Sequence, residues 1–169
     1  MTPLTAAFAH AITTTLLPVV TRAVAPTDMA EMRAMLERSS SETRYRRFMV
    51  PMPRIGDALL RRLTAAGSGA VAVALDGRIV GAAHYGDLDG DAEIAVIVED
   101  GWQRHGVGRV LMRDIADRAH ADGYATATGC ILRDNRAANR FLDATAPGAR
   151  SVYDGPYRTF FVDLSLIPG

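Results

Sequence analysis

The chain has 169 residues, 49% of them hydrophobic, a length and apolar share that suit one domain around one core. Lys plus Arg and Asp plus Glu number 19 each, so no global field favours nucleic acid or an anionic membrane surface. The single cysteine, Cys130, excludes an internal disulfide and a thiol-based metal site, and it fits a reducing, cytoplasmic setting.

Residues 1–17 are apolar and rich in Ala and Thr, but they lack the basic start of a secretory signal; they read as an N-terminal extension, a short helix or a loose end. The domain itself is expected over 18–166. Val19 to Val24 reads as a first strand, and Pro26-Thr27-Asp28 as a helix start with Asp28 at the positive end of the dipole. Met29 to Arg38 follows as a helix that buries Met29, Met32 and Leu36 on one face. Ser39 to Ser41 break it and cap a second helix, Glu42 to Met49; Pro51 and Pro53 end that one, and Ile55 to Thr64 is a third.

Ala70 to Leu75 and Arg78 to Tyr85 are joined by Asp76-Gly77, a pair suited to a type I′ turn, so they form a hairpin. Asp87 to Asp91 reads as a loop, and Ala92 to Val98 as a buried, β-branched central strand. Val107, Val110, Leu111, Ile115 and Ala119 recur at helical spacing between Gly106 and Ala121, and Gly123 stops the run. Tyr124 to Leu132 is a strand and Asn135 to Ala144 a helix. Ser151 to Tyr153 and Tyr157 to Leu164 close the chain as a hairpin across Asp154-Gly155-Pro156. The alternation defines one mixed α/β domain.

The segment from Val96 to Arg109 carries the chemistry. A buried strand runs through a Gly-containing turn, Gln103-Arg104-His105-Gly106-Val107-Gly108, into an amphipathic helix. Unpaired N–H groups at such a helix start converge on one point, and the dipole adds to their pull on an anion. Gly106 and Gly108 let a pyrophosphate approach the backbone, while Arg104, His105 and Arg109 add positive charge. Neither the Gly-x-Gly-x-x-Gly of a dinucleotide fold nor the Gly-Lys-Ser/Thr of a P-loop is present here.

Gln-x-x-Gly-x-Gly between a β-branched strand and a long helix resembles the acetyl-CoA signature of the GNAT N-acetyltransferases, and the element order from Val19 to Leu164 is similar to that family's. The resemblance implies a central, mostly antiparallel sheet of six or seven strands flanked by helices, with a splayed central strand pair. It implies acetyl-CoA as cosubstrate and an amine as acceptor. In this reading the strand residues Val96, Ile97 and Val98 meet the pantetheine arm through their backbone, and amides from Arg104 to Arg109 hold the pyrophosphate. Asn135 matches the family's Asn near the thioester, although Asn is also a favoured helix cap.

An amine must lose a proton before it attacks, and Glu93 in Ala92-Glu93-Ile94-Ala95 resembles the catalytic glutamate of the histone-acetyltransferase branch. Its distance to Gln103 is one residue shorter than in that branch, so a bulge would move it to the other face. Leu142 stands where many members carry a tyrosine acid, leaving Tyr153, Tyr157 or solvent to protonate the thiolate. Cys130 is expected as a buried core residue. Trp102 is expected to wedge the loop onto the core.

Ser39 to Phe48 resembles a stretch of the bacterial Pat-type protein-lysine acetyltransferases, with Tyr45 and Phe48 packing and Arg44, Arg46 and Arg47 partly exposed. A protein lysine is therefore the expected acceptor, with a small-molecule amine or a non-catalytic acetyl-CoA sensor as alternatives. No metal, nucleic acid or membrane partner is expected, and the chain is expected as a monomer or homodimer.

Overall fold

A computed structural model describes residues 19–67 and 69–167; the expected extension at 1–17 lies outside the described residues. Seven strands form one sheet in the order β1-β2-β3-β4-β5-β7-β6. They are β1 (Val19–Ala23), β2 (Gly69–Ala74), β3 (Ile79–Leu88), β4 (Asp91–Val98), β5 (Thr126–Leu132), β6 (Arg150–Asp154) and β7 (Tyr157–Asp163). All neighbours are antiparallel except β4 and β5. The helices are α1 (Met29–Arg38), α2 (Ser41–Phe48), α3 (Asp57–Leu63), α4 (Val107–Ala121) and α5 (Arg136–Thr145). Among the described residues no helix is long and apolar enough to cross a membrane.

Period-2 alternation along the strands sorts the apolar side chains onto two faces. On one, Leu111, Ile115 and Ala119 of α4 and Leu142 of α5 pack against Ala70, Ala72, Val80, Ala92 and Ile94. On the other, Met32, Met35 and Leu36 of α1 and Leu60 and Leu63 of α3 pack against Val71, Ile79, Ala82 and Ile97. Gly81 lets α4 settle close on the sheet, because a Cβ there would stand 2.9 Å from Leu111 Cδ1.

The turns differ from expectation in two places. Asp89 and Gly90 both take positive φ, 54° and 89°, and Leu88 pairs directly with Asp91, so the type I′ hairpin lies there. The expected loop from Asp87 to Asp91 is thus mostly strand. At Asp76-Gly77 only Gly77 has positive φ: Gly77 N–H donates to the Ala74 carbonyl at 2.9 Å, and the register slips between Ala72 and Val73. That is a longer turn with a bulge, which absorbs one extra residue. Asp28 stands at the start of α1 as expected, and its carboxylate turns back to Ala25 N–H at 2.8 Å and to the Arg22 guanidinium, two contacts of 2.7 Å, without capping the helix.

β4 and β5 are paired only at Ala92 with Ala127 and Glu93 with Thr128. Beyond that point they diverge, as the splayed pair requires. Gly129 sits at the fork: a Cβ there would stand 2.6 Å from Phe160 Cζ and 2.9 Å from the Ile94 carbonyl oxygen. Gly129→Ala is therefore expected to destabilise the fold by roughly 1–3 kcal/mol through overpacking, read as a lower denaturant midpoint. Trimming the ring as well, in Gly129→Ala/Phe160→Leu, should recover part of the loss; an unchanged midpoint in the single variant would remove the clash.

Candidate active site

The fork opens a cleft of about 1160 Å3 between β4 and β5, bounded by α2, the start of α4 and the start of α5. From Ile94 onward β4 has no β5 partner, so the edge that faces the gap offers backbone N–H and C=O groups to whatever enters. Val96, Ile97 and Val98 all line this stretch, with Ile97 sending its side chain into the core beside α1 and α3.

The loop that follows is held from both sides. Gln103 Nε2 donates to the Val98 carbonyl at 3.1 Å and to Thr43 Oγ1 at 3.2 Å. Gly106 precedes α4 with φ 83°, and Arg104 takes φ 62°, a left-handed conformation uncommon outside glycine. Among the described residues, none of the amides from Arg104 to Gly108 makes a well-formed hydrogen bond within the protein. Five donors thus stand free at the positive end of a 15-residue helix, with Arg104 and Arg109 lining the same wall. This arrangement is suited to an anion such as a diphosphate.

Val107 is fully buried on the core face of α4, and what it offers the cleft is its amide. His105 is exposed and its Nδ1 lies 2.8 Å from the Gln103 carbonyl, to which it donates, outside the cleft lining. Gly108 lies over Phe141, where a Cβ would make ordinary contact at 3.5 Å, so packing alone does not require glycine there. Trp102 packs against the core beneath the loop as expected.

Asn135 is the cap of α5: its Oδ1 accepts from Ala138 N–H and from Arg46 Nη1, both at 3.1 Å. Its Nδ2 has no protein acceptor among the described residues, so capping and a role in the cleft are compatible. Leu142 is 2% exposed and packed in the core, and it supplies no proton. Tyr153 and Tyr157 are exposed and neither lines the cleft. Tyr85 does line it, but its hydroxyl is committed to Asp122, and burial with that carboxylate pushes it up to about 12.

Glu93 occupies the last paired position before the fork. No register shift interrupts β3 and β4, so no bulge moves it, and it lines the cleft on the face that carries α2. Cys130 is exposed and lines the cleft on that same face, not buried in the core as expected, because its β5 neighbours splay away from β4. Partial desolvation in the cleft, opposed by a hydrogen bond with Thr159 and reinforced by the Glu93 charge, raises the thiol above its ordinary value.

The α2 segment is strapped over the cleft by residues the sequence did not single out. Asp100 accepts from Ser40 N–H at 2.8 Å, Ser40 Oγ–H at 2.8 Å and Thr43 Oγ–H at 2.9 Å. Burial raises the Asp100 carboxyl, but these hydrogen bonds outweigh it and hold it below the usual range. Arg44, not Tyr45, packs inward: Arg44 Nη1 reaches the Leu36 and Ser39 carbonyls, while Tyr45 is 41% exposed. His84, also unanticipated inside an apolar strand, is buried at the cleft floor, its Nε2–H donating to the Leu63 carbonyl at 2.7 Å. Burial pulls it down to about 4, so it is neutral near pH 7, and its Nδ1 has no partner.

The chain belongs to the acetyltransferase (GNAT) family, whose model matches residues 31–144. Members of this family use acetyl-CoA. The fold is similar to the GNAT domain of S. lividans PAT, at 23% identity and a TM-score of 0.77 over 86% of this chain and 90% of that one. It is also similar to yncA of Salmonella typhimurium, solved with its cofactor acetyl-CoA (20%, 0.67, 87% and 94%). A third similar structure is the ribosomal-protein-S18-alanine N-acetyltransferase of Escherichia coli (16%, 0.63, 85% and 90%). At these identities the likeness is one of fold. No curated protein matches the sequence.

Because Asp100 is held low, its grip on α2 is complete above the unfolded carboxylate value near 3.9 and fades as the pH falls through the folded value. Asp100→Ala is expected to free α2 locally. Amide hydrogen exchange across Ser41–Phe48 should quicken by about tenfold or more, while the β3 and β4 amides keep their protection.

Proposed function

We propose that residues 18–166 act as one catalytic domain that transfers the acetyl group of acetyl-CoA to a primary amine in a ternary complex, the acceptor being a protein lysine. The observation that carries this reading is the continuity of the free amides at Arg104–Gly108 with the unpaired edge of β4 and with Glu93. The residues present fit the donor: the amide row with Arg104 and Arg109 holds a diphosphate, the open β4 edge at Val96 and Val98 receives an amide-bearing arm, and Asn135 Nδ2 is free to donate. Acetyl-CoA supplies the activated acyl carbon.

The protein supplies proton control and polarity. A lysine ammonium has a reference pKa near 10.4, so Glu93 takes its proton, directly or through water, before attack. Backbone N–H groups on β4 meet the negative charge that develops on the acetyl oxygen. The departing thiolate, with a reference value near 8.5, takes its proton from solvent, because Leu142 has none to give. Support for a protein acceptor comes from the fold shared with S. lividans PAT and from the Ser39–Phe48 segment that lies over the acceptor side of the cleft.

Glu93→Gln is expected to lower kcat/KM by roughly 10²–10⁴ while calorimetry returns an unchanged acetyl-CoA affinity. Unchanged turnover in that variant would move the base elsewhere. Gly106→Ala puts a Cβ on a left-handed residue at a cost of roughly 1–2 kcal/mol, so acetyl-CoA should bind about five- to thirtyfold more weakly. Full affinity in Gly106→Ala would take the donor away from this loop.

A further inference from the structure

Five arginines line the cleft. Arg46 is committed to Glu42 and to Asn135, and Arg104 and Arg109 stand beside the free amides. Arg47 of α2 and Arg62 of α3 remain, on the side of the cleft that holds Glu93. Among the described residues neither makes a hydrogen bond or an ion pair. Two separate helices thus bring like charges to one space, where Glu93 offsets their repulsion without pairing with either.

Arg47 is the more constrained. Its guanidinium rests on the Phe48 ring, with Cζ 4.8 Å from the centroid. Its Nε is sealed from solvent without an acceptor. Glu93 attracts it without reaching ion-pair distance. Burial pulls Arg47 down to about 10, Glu93 resisting and Arg62 adding to the fall. Buried cations and donors in folded proteins are paired, and an orphaned one marks a partner that arrives from outside. The planar fork of a guanidinium matches a carboxylate. Met49 and Leu59 supply apolar wall beside the pair, suited to an aliphatic stem.

We propose that the acceptor end of the cleft recognises an amine that carries a carboxylate beside it, with Arg47 and Arg62 clamping the carboxylate while the amine lies at Glu93. This rests on the acetyl-transfer reading of the same cleft and names its acceptor class. The carboxylate is either an acidic side chain next to a protein lysine or the carboxylate of a free amino acid.

Two matched pairs of acceptors test it: a lysine peptide flanked by glutamates against the same peptide flanked by glutamines, and free lysine against cadaverine. The carboxylate member of at least one pair is expected to have a kcat/KM about tenfold or more higher, and which pair responds identifies the source. Arg47→Gln should bring that ratio to within about twofold of unity, and Arg47→Lys should keep part of it, thermal melting confirming that both variants fold. Equal losses on both members of a pair, or wild-type ratios near one in both pairs, overturn the proposal. A second measurement needs no turnover. Glutarate titrated by NMR into CoA-saturated protein is expected to bind the wild type at least tenfold more tightly than Arg47→Gln, and equal binding overturns the clamp. Should no amine be acetylated, the glutarate result still stands or falls by itself.

Discussion

The brevity of the parallel contact between β4 and β5 controls this molecule. Two residue pairs join the halves of the sheet, at Ala92 with Ala127 and Glu93 with Thr128, and then the strands part. Closing the gap would recover several backbone hydrogen bonds, so the separation must be enforced by packing. Gly129 brings β5 against the Ile94 carbonyl at the fork, and Phe160 fills the space that a side chain at Gly129 would take. The start of α4, with Phe141 beneath Gly108, occupies the wider end. The unpaired β4 edge is tolerable because it borders a cavity rather than dry core.

Charge is neutral in sum and sharply local in place. The amide row at Arg104–Gly108, with Arg104 and Arg109, makes one end of the cleft attractive to anions through the α4 dipole. Near the fork Glu93 faces the same cavity as Arg47 and Arg62. The α2 helix forms the wall between these regions, pinned at its start by Asp100 and across the cleft by Arg46 to Asn135. Holding that helix by polar contacts rather than by a buried apolar face leaves it the least deeply anchored element around the cleft; none of its residues is fully buried.

The periodic segments were legible in the primary structure. Leu111, Ile115 and Ala119 announce α4, and the β-branched run at Ile94–Val98 announces a central strand, because burial on one or both faces imposes a period that composition alone can show. Turns were less so. Asp-Gly at 76–77 and at 89–90 look alike, yet only the second is a type I′ turn, since the choice depends on the register of strands already fixed by the core. Asp28 reads as an acid at a helix start, as it is, but its partner Arg22, six residues back, is brought near only by the bend after β1.

Local order along the chain was enough to place the loop at 104–108, because a strand, a glycine turn and a helix start make an anion-suited site from consecutive residues whatever surrounds them. The Glu93 end of the cleft is another matter. Arg47, Arg62, His84, Glu93 and Cys130 come from five elements, and no spacing rule connects them; Cys130 reads as core, and only the fork exposes it. Side chains far apart in sequence meet only after both sheet faces are packed. The sequence therefore determined where an acetyl donor of this family is expected to lie, and tertiary packing alone decided which charges gather around Glu93.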